Sequence, residues 1–132
     1  MPRILLIEDD CSLRRALCLS LEKIGYTVFE ANDGREGLKA YTAQPVDLVI
    51  TDMIMPEMEG VETIRALRKL NPTLKIIAIT GGGRGTADGY LHLAAQFGAA
   101  KVFTKPFELA ELCAAAAQLL GTAEKAGELP LT

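Results

Sequence analysis

The chain has no tryptophan, one histidine and three cysteines among its 132 residues. Each scarcity narrows the function. Cys11, Cys18 and Cys113 are odd in number and lack metal-ligand spacing. This argues against a disulfide framework or a thiolate metal site, and for free thiols, buried or half-buried, in a reducing cytoplasm. There is no long basic run. Fourteen Lys and Arg stand against seventeen Asp and Glu, for a formal net charge of −3, so the chain offers no extended surface for nucleic-acid phosphates. The apolar run Ile4–Ile7 is too short for a signal peptide and ends in acids. No segment is long enough to span a bilayer. Gly81-Gly82-Gly83-Arg84-Gly85 spells neither G-x-G-x-x-G nor a P-loop, and it follows the fourth strand signal instead of the first. The single histidine, His92, falls in a helical stretch away from the acidic residues that carry the chemistry described below.

The chain does have apolar substance. Nearly half of it is apolar (49%) and mean hydropathy is +0.20, enough for one core in one domain. Short apolar runs alternate with amphipathic stretches. Strands are predicted at Ile4–Ile7, Tyr26–Ala31, Val46–Thr51, Leu74–Ile79 and Lys101–Thr104. The helix from Cys11 to Ile24 carries the stripe Leu13, Leu17, Leu21, Ile24 and stops at Gly25. Further helices are predicted at Arg35–Ala43 and Val61–Leu70, and from a Thr86 cap through Tyr90, Ala94 and Phe97. A last helix, with Pro106 in its first turn, runs to about Leu120. Five β-α units argue for a parallel sheet with helices on both faces. Residues 1–121 form this domain, and 122–132 read as a polar tail or the start of a linker.

In an open parallel sheet, ligands bind beyond the carboxyl ends of the strands. The first strand delivers Glu8, Asp9 and Asp10 to that edge, with Asp10 also placed to cap the helix that follows. The third delivers Asp52, the fourth Thr80 and the fifth Lys105. Carboxylates gathered this way repel one another unless a cation sits among them. Mg2+ suits an all-oxygen site of one or two carboxylates completed by water and phosphate. Asp52 is a carboxylate nucleophile of the kind that forms aspartyl phosphates, and Thr80 and Lys105 are donors suited to phosphoryl oxygens.

The ordered motifs are Ile4-Leu5-Leu6-Ile7-Glu8-Asp9-Asp10, Asp47 to Pro56 followed by Gly60, Ile79-Thr80, Gly98-Ala99 and Thr104-Lys105-Pro106-Phe107. With them the sequence resembles the receiver domains of bacterial two-component response regulators, of the chemotaxis-type, single-domain kind. The resemblance runs from Arg3 to about Leu120. It implies a flavodoxin-like, doubly wound α/β fold of five parallel strands in the order 2-1-3-4-5 with five helices. It implies Asp52 as phospho-acceptor, Asp9 as a direct Mg2+ ligand with Glu8 acting through water, and the backbone carbonyl of Ile54 as a further ligand. Thr80 becomes the switch hydroxyl and Lys105 the phosphate-contacting amine, with a Lys105–Pro106 bond that is often cis. The implied donor is the phosphohistidine of a sensor histidine kinase or a phosphotransfer protein. The implied output is a changed surface on the fourth helix, fifth strand and last helix, which meets a partner protein or a second copy of the chain. Such a domain catalyses only its own phosphorylation and slow dephosphorylation.

Two positions depart from the family pattern. Three residues before Lys105, where the family has an aromatic residue, stands Val102. The neighbouring aromatic, Phe103, should face the other side of the strand. The glycine-rich segment 81–85 lengthens the stretch before Lys105 and predicts a mobile loop. An alternative reading is a Mg2+-dependent phosphohydrolase or a nucleotide or flavin binder on a similar sheet. Its phosphatase form needs a second acid two residues after the nucleophile, where this sequence has Ile54.

Overall fold

The structure is a computed structural model and describes residues 2–53, 59–80 and 98–121. Five strands form its centre: β1 (Arg3–Ile7), β2 (Thr27–Ala31), β3 (Leu48–Asp52), β4 (Lys75–Thr80) and β5 (Lys101–Thr104). They lie in the order β2-β1-β3-β4-β5, and every neighbouring pair is parallel. β1, β3 and β4 are interior strands, with a helix layer on each face. They are therefore continuous apolar runs: Ile4–Ile7, Leu48–Ile50 and Ile76–Ile79 are fully buried. Each such Leu or Ile contributes roughly 1.5–3 kcal/mol by leaving water.

Four helices are described: α1 (Cys11–Ile24), α2 (Gly34–Ala43), α3 (Glu59–Leu70) and α4 (Leu109–Leu120). The helix predicted from Thr86, the Gly81–Gly85 loop and the 122–132 tail lie outside the described residues. The sheet divides the core in two. Leu5, Ile7, Val49, Ile76 and Ala78 pack with Tyr41 of α2 and with Ile64 and Leu67 of α3. Ile4, Leu6, Leu48, Ile50, Ile77 and Ile79 pack with Leu17, Cys18 and Leu21 of α1 and with Leu112 and Cys113 of α4.

The ends of the helices follow from local chemistry. Asp10 caps α1, its Oδ1 accepting from the N–H groups of Ser12 and Leu13 at 3.0 and 3.2 Å. Gly25 ends that helix with φ 122°, a conformation that favours glycine. Asp33 caps α2 by accepting from Glu36 N–H at 2.9 Å, and the Glu36 carboxylate reaches back to Asn32 N–H at 2.9 Å.

Several expectations shift. β3 runs to Asp52 and β4 to Thr80, so both residues are the last of their strands, not the first beyond them. α4 starts at Leu109 behind Glu108, and Pro106 lies in the connection before it, after a cis Lys105–Pro106 bond. The buried stripe of α1 is Leu17, Cys18 and Leu21. Ile24 shares the helical face of Leu17 and Leu21 but, as the last residue of α1, is 51% exposed. Cys18 and Cys113 are buried but Cys11, at the first position of α1, is exposed.

α2 lies close against β1 at Gly37, where an added Cβ would stand 2.8 Å from Ile7 Cγ1. Ile7 is fully buried and has little room to yield. Gly37→Ala should therefore lower stability by about 1–3 kcal/mol despite the better helix propensity of alanine, read as a lower urea midpoint at unchanged slope. A stabilised variant would show that Ile7 repacks without cost.

Candidate functional site

The strand register assembles the site. Ile7 pairs with Thr51, so the next residues of β1 and β3, Glu8 and Asp52, leave the sheet side by side. Asp52 pairs with Ile79, and Thr80 pairs with Thr104, directly before Lys105. Backbone bonds extend the sheet past its formal ends: Glu8 N–H donates to Ala31 O at 3.1 Å, Met53 N–H to Ile79 O at 2.6 Å and Lys105 N–H to Thr80 O at 2.7 Å. Four strands thus bring Glu8, Asp52, Thr80 and Lys105 to one corner.

One carboxylate oxygen each from Glu8, Asp9 and Asp52 lies within 4.8 Å of the others. Glu8 and Asp52 are buried, and Asp9 is exposed. The Lys105 ammonium reaches across to both buried acids, 2.8 Å from Asp52 Oδ2 and 3.2 Å from Glu8 Oε1. The Glu8 carboxylate also accepts from Asp10 N–H at 3.0 Å, which turns the chain from β1 into α1.

Glu8 carries the conflict of the site. Burial pushes its carboxyl up to about 7, and the neighbouring Asp52 charge adds to this. The Asp10 N–H and the Lys105 ammonium pull the other way. Lys105 itself is shifted upward: burial opposes its charge, but its bonds and charge pairing with Asp52 and Glu8 outweigh that. Although Lys105 is near, Glu8 Oε1 is buried without a hydrogen bond. The buried Thr80 hydroxyl likewise finds no hydrogen-bond partner among the described residues.

An orphaned carboxylate oxygen, a second buried carboxylate and an exposed third make an all-oxygen donor set that fits a hard divalent cation. The Thr80 hydroxyl, without a hydrogen-bond partner among the described residues, is the kind of donor that an incoming anion would satisfy. Of the residues singled out from sequence, Glu8, Asp9, Asp52 and Lys105 are in one cluster, and Thr80 ends the adjoining strand. Ile54 lies outside the described residues. Val102 is half-buried against the α2–α3 face of the sheet, and Phe103 packs on the α1–α4 face with its ring 5.9 Å from that of Phe107. The two therefore face opposite ways, as strand alternation requires.

Sequence reading missed Arg14. Its guanidinium donates to Glu30 Oε1 at 3.0 Å, to Glu8 O at 2.7 Å and to Asn32 Oδ1. The available signal was spacing alone, since Arg14 follows the Asp10 cap by one helical turn.

A five-stranded parallel sheet in this order, with an acidic cluster and a lysine at its carboxyl edge, defines a phospho-accepting α/β signalling module. The description "Response regulator receiver domain" matches residues 4–117, and the chain belongs to that family. It is 39% identical over 112 residues to the response regulator receiver protein CpdR of Brucella abortus, covering 85% of this chain and 91% of that one. It is 35% identical to part of the sensor kinase CckA of the same organism, matching 12% of that longer protein. Other relatives are matched over about half their length, among them a probable transcriptional regulatory protein of Picosynechococcus at 49%. Among solved structures, a receiver domain protein from Clostridium thermocellum superimposes with TM-score 0.81 at 30% identity, covering 94% of this chain and 98% of that one. The chemotaxis protein CheY4 of Vibrio cholerae gives 0.79 at 26% identity, covering 90% and 98%. The chain is thus a phospho-accepting receiver domain of the two-component type, a signalling module and not an enzyme in the ordinary sense. The phosphohydrolase and nucleotide-binder readings gain no support from these relatives. No helix among the described residues is long and apolar enough to cross a membrane.

The raised Glu8 carboxyl has a consequence for stability. Folded Glu8 keeps a proton that the unfolded chain releases above its ordinary value of 4.5. Its contribution to folding therefore weakens as pH rises from that value towards 7. In metal-free buffer, Glu8→Gln should gain stability relative to wild type between about pH 5 and about pH 7.5, compared by urea unfolding. A difference that does not change with pH would mean that Glu8 is ionised throughout.

Proposed function

We propose that Asp52 is the phosphoryl acceptor and that Glu8, Asp9 and Asp52, with the backbone carbonyl of Ile54, hold Mg2+ beside it. The observation that carries this is the approach of three carboxylates to within 4.8 Å, with the Lys105 ammonium 2.8 Å from Asp52. A carboxylate oxygen of Asp52 attacks phosphorus, the bond from phosphorus to the donor histidine nitrogen breaks, and that nitrogen leaves with the bonding pair. Bound Mg2+ supplies charge neutralisation for the phosphoryl oxygens and the carboxylates.

The protein's own groups do the rest. Lys105 orients Asp52 before transfer and contacts a phosphoryl oxygen afterwards. Thr80 offers its unpaired hydroxyl to the same group. Burial of Glu8 and Asp52 strengthens each of these electrostatic contacts. The phosphorylated state changes the surface made by the segment before β5, by β5 and by α4, and that surface meets a downstream protein or a second copy of the chain. The donor is a sensor histidine kinase or a phosphotransfer protein, in the cytoplasm. Residues 1–121 form the receiver unit, with 122–132 as a tail or linker start. The chain catalyses its own phosphorylation and its slow dephosphorylation.

Intact-mass measurement with acetyl phosphate and Mg2+ tests this directly. One phosphoryl group per chain is expected, not formed when Mg2+ is chelated beforehand and absent in Asp52→Asn. Lys105→Met should slow labelling by about 10²-fold, the usual consequence of removing one preorganised donor to developing charge. Undiminished labelling of Asp52→Asn would place the acceptor elsewhere.

A further inference from the structure

We infer that Arg14 is a positioning residue for the metal-binding acids, acting through the Glu8 peptide carbonyl; this rests on the Mg2+ reading above. Arg14 sits on the first turn of α1 with a side chain only 13% exposed. Its Nε is held by Glu30 Oε1 at 3.0 Å at the end of β2, which orients the planar guanidinium. Nη1 then donates to Glu8 O at 2.7 Å and to Asn32 Oδ1. Arg15 takes the other Glu30 oxygen at 2.9 Å, so Glu30 is itself fixed.

The carbonyl that Arg14 holds belongs to the peptide plane joining Glu8 to Asp9. Glu8 is pinned on one side by its own N–H on Ala31 O at 3.1 Å, and on the other by its carboxylate on Asp10 N–H at 3.0 Å. Arg14 fixes the orientation of the plane between these two anchors. That plane sets the direction in which Asp9 leaves the backbone. Asp9 is the exposed member of the acidic cluster and has no buried packing to hold it. Groups that orient ligands from outside the coordination shell commonly change metal affinity by about 10–100-fold when removed. A lysine at this position keeps the charge but loses the planar fork that fixes the directions of these bonds.

A purely structural role would tie α1 to β2 through the Arg14–Glu30 ion pair and leave metal affinity alone. Glu30→Gln weakens that pair but leaves the bond to Glu8 O in place, so it separates the two roles. Calorimetric titration with Mg2+, at matched stability measured by urea, is the experiment. Arg14→Met should weaken Mg2+ binding about tenfold, Arg14→Lys about threefold, and Glu30→Gln by less than about twofold. Wild-type affinity in folded Arg14→Met would overturn the inference and leave the Mg2+ reading intact, as would equal losses in Arg14→Met and Glu30→Gln. Absence of Mg2+ binding by the wild type would overturn both.

Discussion

Two carboxylates out of water at the ends of adjacent strands need a counter-charge, and the described structure supplies it through Lys105, 53 residues from Asp52 and 97 from Glu8 in sequence. An unpaired buried charge costs several kcal/mol, so this contact depends on the sheet and also constrains it. β5 must lie beside β4, and its last residue must stand level with Thr80, for the ammonium to arrive. Lys105 neutralises only one of two charges. The corner therefore keeps an excess of negative charge, expressed in the raised Glu8 carboxyl and its orphaned oxygen. Such a corner fits a cation, and the apolar strands around it supply the stability that the conflict consumes.

Much of this was legible because parallel sheets translate sequence position into spatial position with little ambiguity. A strand buried on both faces must be a continuous apolar run, and the first charged residue after it must emerge at the sheet edge. Glu8 after Ile7 and Asp52 after Thr51 are both instances, whereas β5, an edge strand, places Lys105 through its pairing with β4. The acidic cluster follows from the strand order, which the family resemblance implied and the coordinates bear out. Asp10 as a helix cap was legible for a different reason: its chemistry is local, requiring only the N–H groups two and three residues ahead.

What escaped was either a matter of helix ends or of long-range partnership. Ile24 continues the apolar face of Leu17 and Leu21, but it is the last residue of α1 and is left half in water. Cys18 takes its place because a thiol packs as a small apolar group. Arg14 could not be read at all. A helical arginine is ordinarily a solvated residue, and only the coordinates reveal that Glu30, Asn32 and the Glu8 carbonyl converge on it from β2 and β1.

The departure at Val102 can be followed through the sheet. Val102 pairs with Ala78, two residues before Thr80, and both belong to the α2–α3 face. Alternation puts Thr80 on that same face. Phe103 and Lys105 share the other face, where Glu8 and Asp52 also fall by alternation from Leu6 and Ile50. The aromatic ring of β5 therefore stands on the side of the acidic corner, between Lys105 and Phe107, whose ring lies 5.9 Å from its own and leads into α4. Beside Thr80 the strand offers only a short branched side chain. In this chain the aromatic contact of β5 lies on the Lys105 face, where Phe103 meets Phe107, and the Thr80 face carries Val102.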